Sequence, residues 1–132
     1  MNLAPLLAAP VVIQIHAFAA LGAFALGALQ LAAPKGTIPH RTIGWIWAGL
    51  MLAVVVSSFF IHTIRLWGPF SPIHLLSIFT LVMLPLAVLR ARRHQVEWHR
   101  RAMTSMFVGA LVIAGVFTFL PGRIMYAVVF GP

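Results

Sequence analysis

The chain has 132 residues, 62% hydrophobic and only 8% charged, with nine Lys and Arg against a single acid, Glu97, for a formal net charge of +8. A mean hydropathy of +1.05 and a charged fraction far below the roughly 25% of soluble domains exclude a water-soluble fold. With no cysteine there is no disulfide, iron–sulfur cluster, cysteine zinc site or c-type haem, and a lone carboxylate excludes paired-carboxylate hydrolysis and an Asp/Glu proton relay.

A hydrocarbon core about 30 Å thick needs roughly 20 apolar residues per helix, and four such runs follow in order. The apolar N-terminus lacks a basic n-region and an evident cleavage site, so it reads as part of the mature chain. The first helix is expected over about Pro10 to Ala33, and Pro34-Lys35-Gly36-Thr37 ends it. The second is expected over about Arg41 to Ile64, closed by Trp67-Gly68-Pro69. Ser71-Pro72 supplies an N-cap followed by proline at the first helical position, opening a third helix that runs to about Leu89. Arg90 to Arg101 is the most polar stretch, and the fourth helix follows over about Ala102 to Leu120. Residues 121–132 form a tail, read either as a kinked extension or as a short interfacial segment.

A sequence pI near 12 would ordinarily point to nucleic acid, but here the bases fall between apolar runs and report topology instead. Lys35, Arg41, Arg90, Arg92, Arg93, Arg100 and Arg101 flank the first and third breaks, against Arg65 and Arg123 on the other side. The expected fold is therefore a single all-α domain, an up-down four-helix bundle in a bacterial inner membrane. Both termini face outward and the basic loops face the cytoplasm. The bilayer is the expected partner and nucleic acid is not. Trp45, Trp47, Trp67 and Trp98 lie near span ends, as an aromatic belt requires.

The six histidines sort by depth. His16, His62 and His74 fall toward the terminal side, and His40, His94 and His99 toward the basic side. His16 precedes His40 by 24 residues and His74 precedes His99 by 25, and both His40 and His99 are followed by arginine. In an up-down bundle this layout pairs His16 with His74 and His40 with His99, the geometry for one or two bis-histidine b-type haems stacked along the membrane normal. Such ligation needs the helices to extend a turn or more beyond the apolar runs. Arg41, Arg100, Arg101 and Arg123 are candidates for haem propionates, Arg123 also for a quinone carbonyl or, as the plainer reading, a lipid phosphate. Ala19, Ala20, Ala23 and Gly27 share a face with His16 and read either as room for a macrocycle or as close helix packing. His62 and His94 read as structural.

Ionisable residues at membrane depth are costly and tend to be functional, so the expected function is electron transfer between haems and a quinone or other acceptor. Two alternatives stand beside it. One is a non-catalytic accessory or assembly subunit of a larger membrane complex. The other is a copper-binding membrane protein using Met51, Met103 and Met106 with His40 or His99. Gln14, Gln30, Ser57, Ser58 and Thr118 are expected to bond between helices, and Glu97 to pair with a neighbouring arginine. No catalytic triad and no glycine-rich phosphate loop is present.

The elements Ile15-His16, Pro34-Lys35-Gly36-Thr37 and His40-Arg41-Thr42-Ile43-Gly44-Trp45 resemble an uncharacterised bacterial family of predicted four-helix membrane proteins. Pro72-Ile73-His74-Leu75-Leu76-Ser77, His99-Arg100-Arg101-Ala102-Met103 and Pro121-Gly122-Arg123 continue the likeness over about the whole chain. The resemblance implies four spans and no particular activity. In layout alone the chain is also similar to small di-haem b-type membrane cytochromes, which carry ligand histidines on alternate helices and pass electrons to or from a quinol pool.

Overall fold

The computed structural model describes residues 1–61 and 72–131. A short helix α1, Ala4–Leu7, begins where the Ala4 amide donates to Asn2 Oδ1 at 2.9 Å. Helix α2, Val11–Ala32, follows. Gln14 Nε2 donates back to the carbonyls of Leu7 (3.1 Å) and Ala9 (2.9 Å), so this glutamine ties α1 to α2 rather than bridging two spans. At the far end of α2 the Lys35 ammonium donates to the carbonyls of Leu31 and Ala33, which α2 leaves without partners.

Helix α3, Ile38–Ser58, starts three residues before the expected position because Thr37 caps it. The Thr37 hydroxyl accepts from the His40 amide at 3.2 Å, and Pro39 occupies the first turn. The apolar run continues past Ser58, yet the helix ends there. The Ser57 and Ser58 hydroxyls return to the carbonyls of Val54 (3.0 Å) and Val55 (2.6 Å), side-chain bonds that compete with continuing the helix. The expected end at Ile64, the Trp67-Gly68-Pro69 break and the Ser71 cap lie outside the described residues.

Helix α4, Pro72–Arg92, begins at the expected proline. It closes in a Schellman motif: the His94 amide donates to Ala91 O at 3.1 Å and the Gln95 amide to Arg90 O at 2.9 Å, with His94 at φ +58°. Only three residues later α5, Val96–Met106, starts well before the expected Ala102. The polar run Glu97 to Arg101 is helical, and Glu97 supports it by reaching Arg101 Nε at 3.1 Å and Arg100 Nη1 at 3.9 Å, the i+4 and i+3 positions. A π-helical segment, Phe107–Ile113, and α6, Ala114–Phe117, complete this span. Thr118 bonds back to Gly115 O at 2.6 Å, within its own span rather than between helices. After a turn with Gly122 at φ +87°, the tail forms α7, Ile124–Phe130, a separate short helix.

Among the described residues, four helical segments, Val11–Ala32, Ile38–Ser58, His74–Arg92 and Val96–Phe117, are long and apolar enough to cross a membrane. Each packs on the next in sequence, and the π-helical segment returns to α2, closing a ring of four. The register is antiparallel. From His16 to Ala23 to Gln30 on α2, the partners on α3 fall from Val54 to Trp47 to His40. At one end α1 packs on α7, where Leu6 and Val128 are buried and the Asn2 amide donates to Val128 O at 2.8 Å, so the two chain ends lie together.

The middle of the bundle is filled by Ala23, Trp47, Ala48, Met51, Met106 and Phe107. Trp47 is 5% exposed and its indole donates to Ala23 O at 2.9 Å, so it is a core residue rather than part of an aromatic belt. The belt position is held by Trp45, 57% exposed and covered by Arg92, and by Trp98, covered by Arg90 at 5.0 Å. The small-residue stripe of α2 serves this packing. A Cβ on Gly27 would lie 2.6 Å from the Phe107 ring and 3.0 Å from Trp47 Nε1, so at Gly27 the stripe is taken up by close packing.

Candidate functional site

Two polar layers bracket the apolar middle. Along α2, His16 and Gln30 are separated by fourteen residues, about 21 Å of helical rise. The layer nearer the chain ends contains His16, Ser57, Ser58, His74, Ser77 and Thr80. His16 Nδ1 lies 3.1 Å from both Val54 O and Ser57 Oγ. A carbonyl only accepts, so Nδ1 carries the proton and Nε2 is left as the lone-pair nitrogen. Next to Ser57, the Ser58 hydroxyl meets Ser77 Oγ of α4 at 2.5 Å. One turn before Ser77, His74 is 3% exposed, with its ring 6.0 Å from that of Phe59. Helix α3 therefore bridges His16 and His74 within one layer. Thr80, 1% exposed, turns its hydroxyl onto Leu76 O at 2.9 Å.

The layer at the basic end contains Gln30, His40 and His99. Gln30 Nε2 donates to His40 O at 2.8 Å and lies beside Gly44. Among the described residues, no hydrogen-bond partner reaches the buried atoms Gln30 Oε1 and His40 Nδ1. Across the bundle, His99 Nδ1 donates to Ala87 O at 2.8 Å. As at His16, a backbone carbonyl of the neighbouring helix fixes the tautomer. His40, near the start of α3, and His99, in the first turn of α5, stand at the same end of the bundle. The early starts of α3 and α5 are what bring these two histidines inside helices.

The other sequence candidates are spread over the surface. Arg41 is exposed beside His40. Arg100 is 75% exposed and engaged by Glu97. Arg123 is half-buried at the start of α7, near the chain ends. His94 occupies the left-handed turn between α4 and α5, a backbone role. His62, with Arg65 and Trp67, lies outside the described residues. Among the described residues no three His, Cys, Asp or Glu side chains gather as a metal site. Met51 and Met106 are almost fully buried in the apolar core, with Met103 packed against it.

The family model described as "Predicted membrane protein (DUF2306)" matches residues 13–131. The chain belongs to this family. No curated protein and no solved structure matches it. The family description carries the membrane and no activity, so chemistry in this family member rests on its own residues. Ser77, Thr80 and Trp47 stand out only in three dimensions. Their signal in the sequence is faint: hydroxyls at i and i+3 in an otherwise apolar run, and an indole six residues into its expected span, a depth that fits belt and core alike.

Proposed function

We propose that this chain is a small membrane redox protein that holds b-type haem through paired histidines and exchanges electrons with a quinone. The supporting observation is that His16 and His99, one in each layer, both donate Nδ1–H to a carbonyl of the adjacent helix. Metal-ligating histidines nearly always have such an outer partner, which fixes the ring and raises the basicity of Nε2. His74 and His40 are the second ligands, each at the level of its partner. Haem iron, when bound, supplies the one-electron couple. The chain's own residues orient the imidazoles, exclude water between the layers, and place Lys35 and Arg41 beside the basic-end pair to favour propionates.

The filled middle of the bundle favours separate cofactor positions in the two layers over one slot along α2. The same filling favours a second reading, a non-catalytic accessory subunit of a membrane complex whose histidines serve packing. The two readings part on one comparison. The haem reading expects His16→Ala and His99→Ala each to lower the haem content of purified protein while the helical signal and oligomeric state stay unchanged. Unchanged haem content in both variants, or no haem in the parent, overturns it.

A further inference from the structure

The lipid-facing side of the fourth span carries a groove of about 750 Å³ that neither histidine layer uses. Its upper end is formed by Glu97, Arg100 and Arg101, followed by the hydroxyls of Thr104 and Ser105. Its lower end is apolar, formed by Val108, Gly109 and Ile113, and the side chains of Val108 and Ile113 are 42% and 53% exposed. These positions recur every three to four residues. The π-helical segment adds one residue to the turn and so keeps Ile113 on the same face.

We infer that this groove seats one anionic phospholipid, with its phosphate against Arg100 and Arg101 and an acyl chain along Val108 and Ile113. The charge argues for the anion: two guanidiniums face one carboxylate. Glu97 holds Arg101 by Nε, at 3.1 Å, which orients that guanidinium and leaves its terminal nitrogens to donate to phosphate oxygens. The two arginines are 75% and 81% exposed, so the headgroup meets them at the surface without displacing protein. Depth argues for the lipid. Arg90 over Trp98 marks the interfacial level one turn away, and Ile113 lies twelve residues beyond Arg101, about three turns deeper. A partner helix crossing the bilayer would match the apolar end but not the charged one. The inference is independent of haem.

The test is native mass spectrometry of the full chain in mild detergent with phosphatidylglycerol or phosphatidylcholine of matched chains. The expected result is one retained phosphatidylglycerol and little phosphatidylcholine. Arg100→Gln and Arg101→Gln each weaken retention about fivefold, the worth of one basic residue near an anionic lipid. Ser105→Trp weakens it with every charge in place, and circular dichroism checks that the fold persists. Arg93→Gln, at the same end but outside the groove, leaves retention unchanged. Equal retention of phosphatidylcholine overturns the inference. So does an Arg93→Gln effect as large as that of Arg100→Gln, full competition by soluble glycerol phosphate, or cross-linking of two copies through Ser105→Cys in the presence of lipid.

Discussion

Gly27→Ala tests how the bundle is held. The new Cβ would sit 2.6 Å from two atoms of the Phe107 ring and 3.0 Å from Trp47 Nε1. Neither neighbour gives easily. Phe107 is 9% exposed and stacks on Phe24 at 5.6 Å, and Trp47 is held by its bond to Ala23 O. Overpacking a tight core costs about 1–3 kcal/mol, and two rigid rings put this site near the upper end. Alanine returns about 1 kcal/mol of helix propensity, leaving a net loss of about 2 kcal/mol. The assay is unfolding in mixed micelles titrated with denaturing detergent, followed by circular dichroism. In a Phe107→Leu background the ring edge is gone, and most of the cost of Gly27→Ala should vanish as a coupling of about 1–2 kcal/mol. A Gly27→Ala protein as stable as the parent, or a cost undiminished in the Phe107→Leu background, would refute the close approach of α2 to the π-helical segment.

Three further outcomes follow from named contacts. Trp47→Phe leaves Ala23 O without its indole donor and should cost about 1–2 kcal/mol in the same unfolding assay, whereas Trp45→Phe, at an exposed position, should change stability by less than about 0.5 kcal/mol. His94→Gly relieves a side chain at φ +58° and should raise stability by about 1 kcal/mol with no loss of haem; a loss of haem would instead make His94 a ligand. Because the chain has no native cysteine, Asn2→Cys and Arg93→Cys report topology directly. An impermeant maleimide applied to sealed right-side-out vesicles should label the first and not the second, and the reverse pattern would invert the proposed orientation.

Span number, span order and the two histidine levels were legible because apolar run length and the placement of bases are strong, local signals. Helix ends were legible only where a cap or proline marks them, as at Pro72 and at the Pro34-Lys35-Gly36 break. The start of α5 was hidden because Glu97 to Arg101 reads as a polar loop, although its charges stand at the i+3 and i+4 spacing that supports a helix. The end of α3 was hidden because serine hydroxyls, not a change in hydropathy, terminate it. Trp47 was not legible as core because a tryptophan six residues into a span satisfies the belt pattern as well as the core pattern, and only the antiparallel register sets it opposite Ala23. The Ala19, Ala23, Gly27 stripe reads first as packing with cofactor space as the alternative, and the Phe107 ring beside Gly27 favours packing. Which imidazole nitrogen carries the proton was beyond any sequence pattern, since the acceptors at His16 and His99 are backbone carbonyls of other helices.

The central claim is that paired imidazoles in this bundle hold haem. It is tested most directly by the reduced-minus-oxidised optical spectrum, with haem quantitation, of the full chain purified from haem-replete cells. The account predicts a Soret shift and a sharp α band of b type, with one to two haems per chain. A featureless difference spectrum from folded, helical protein would contradict it.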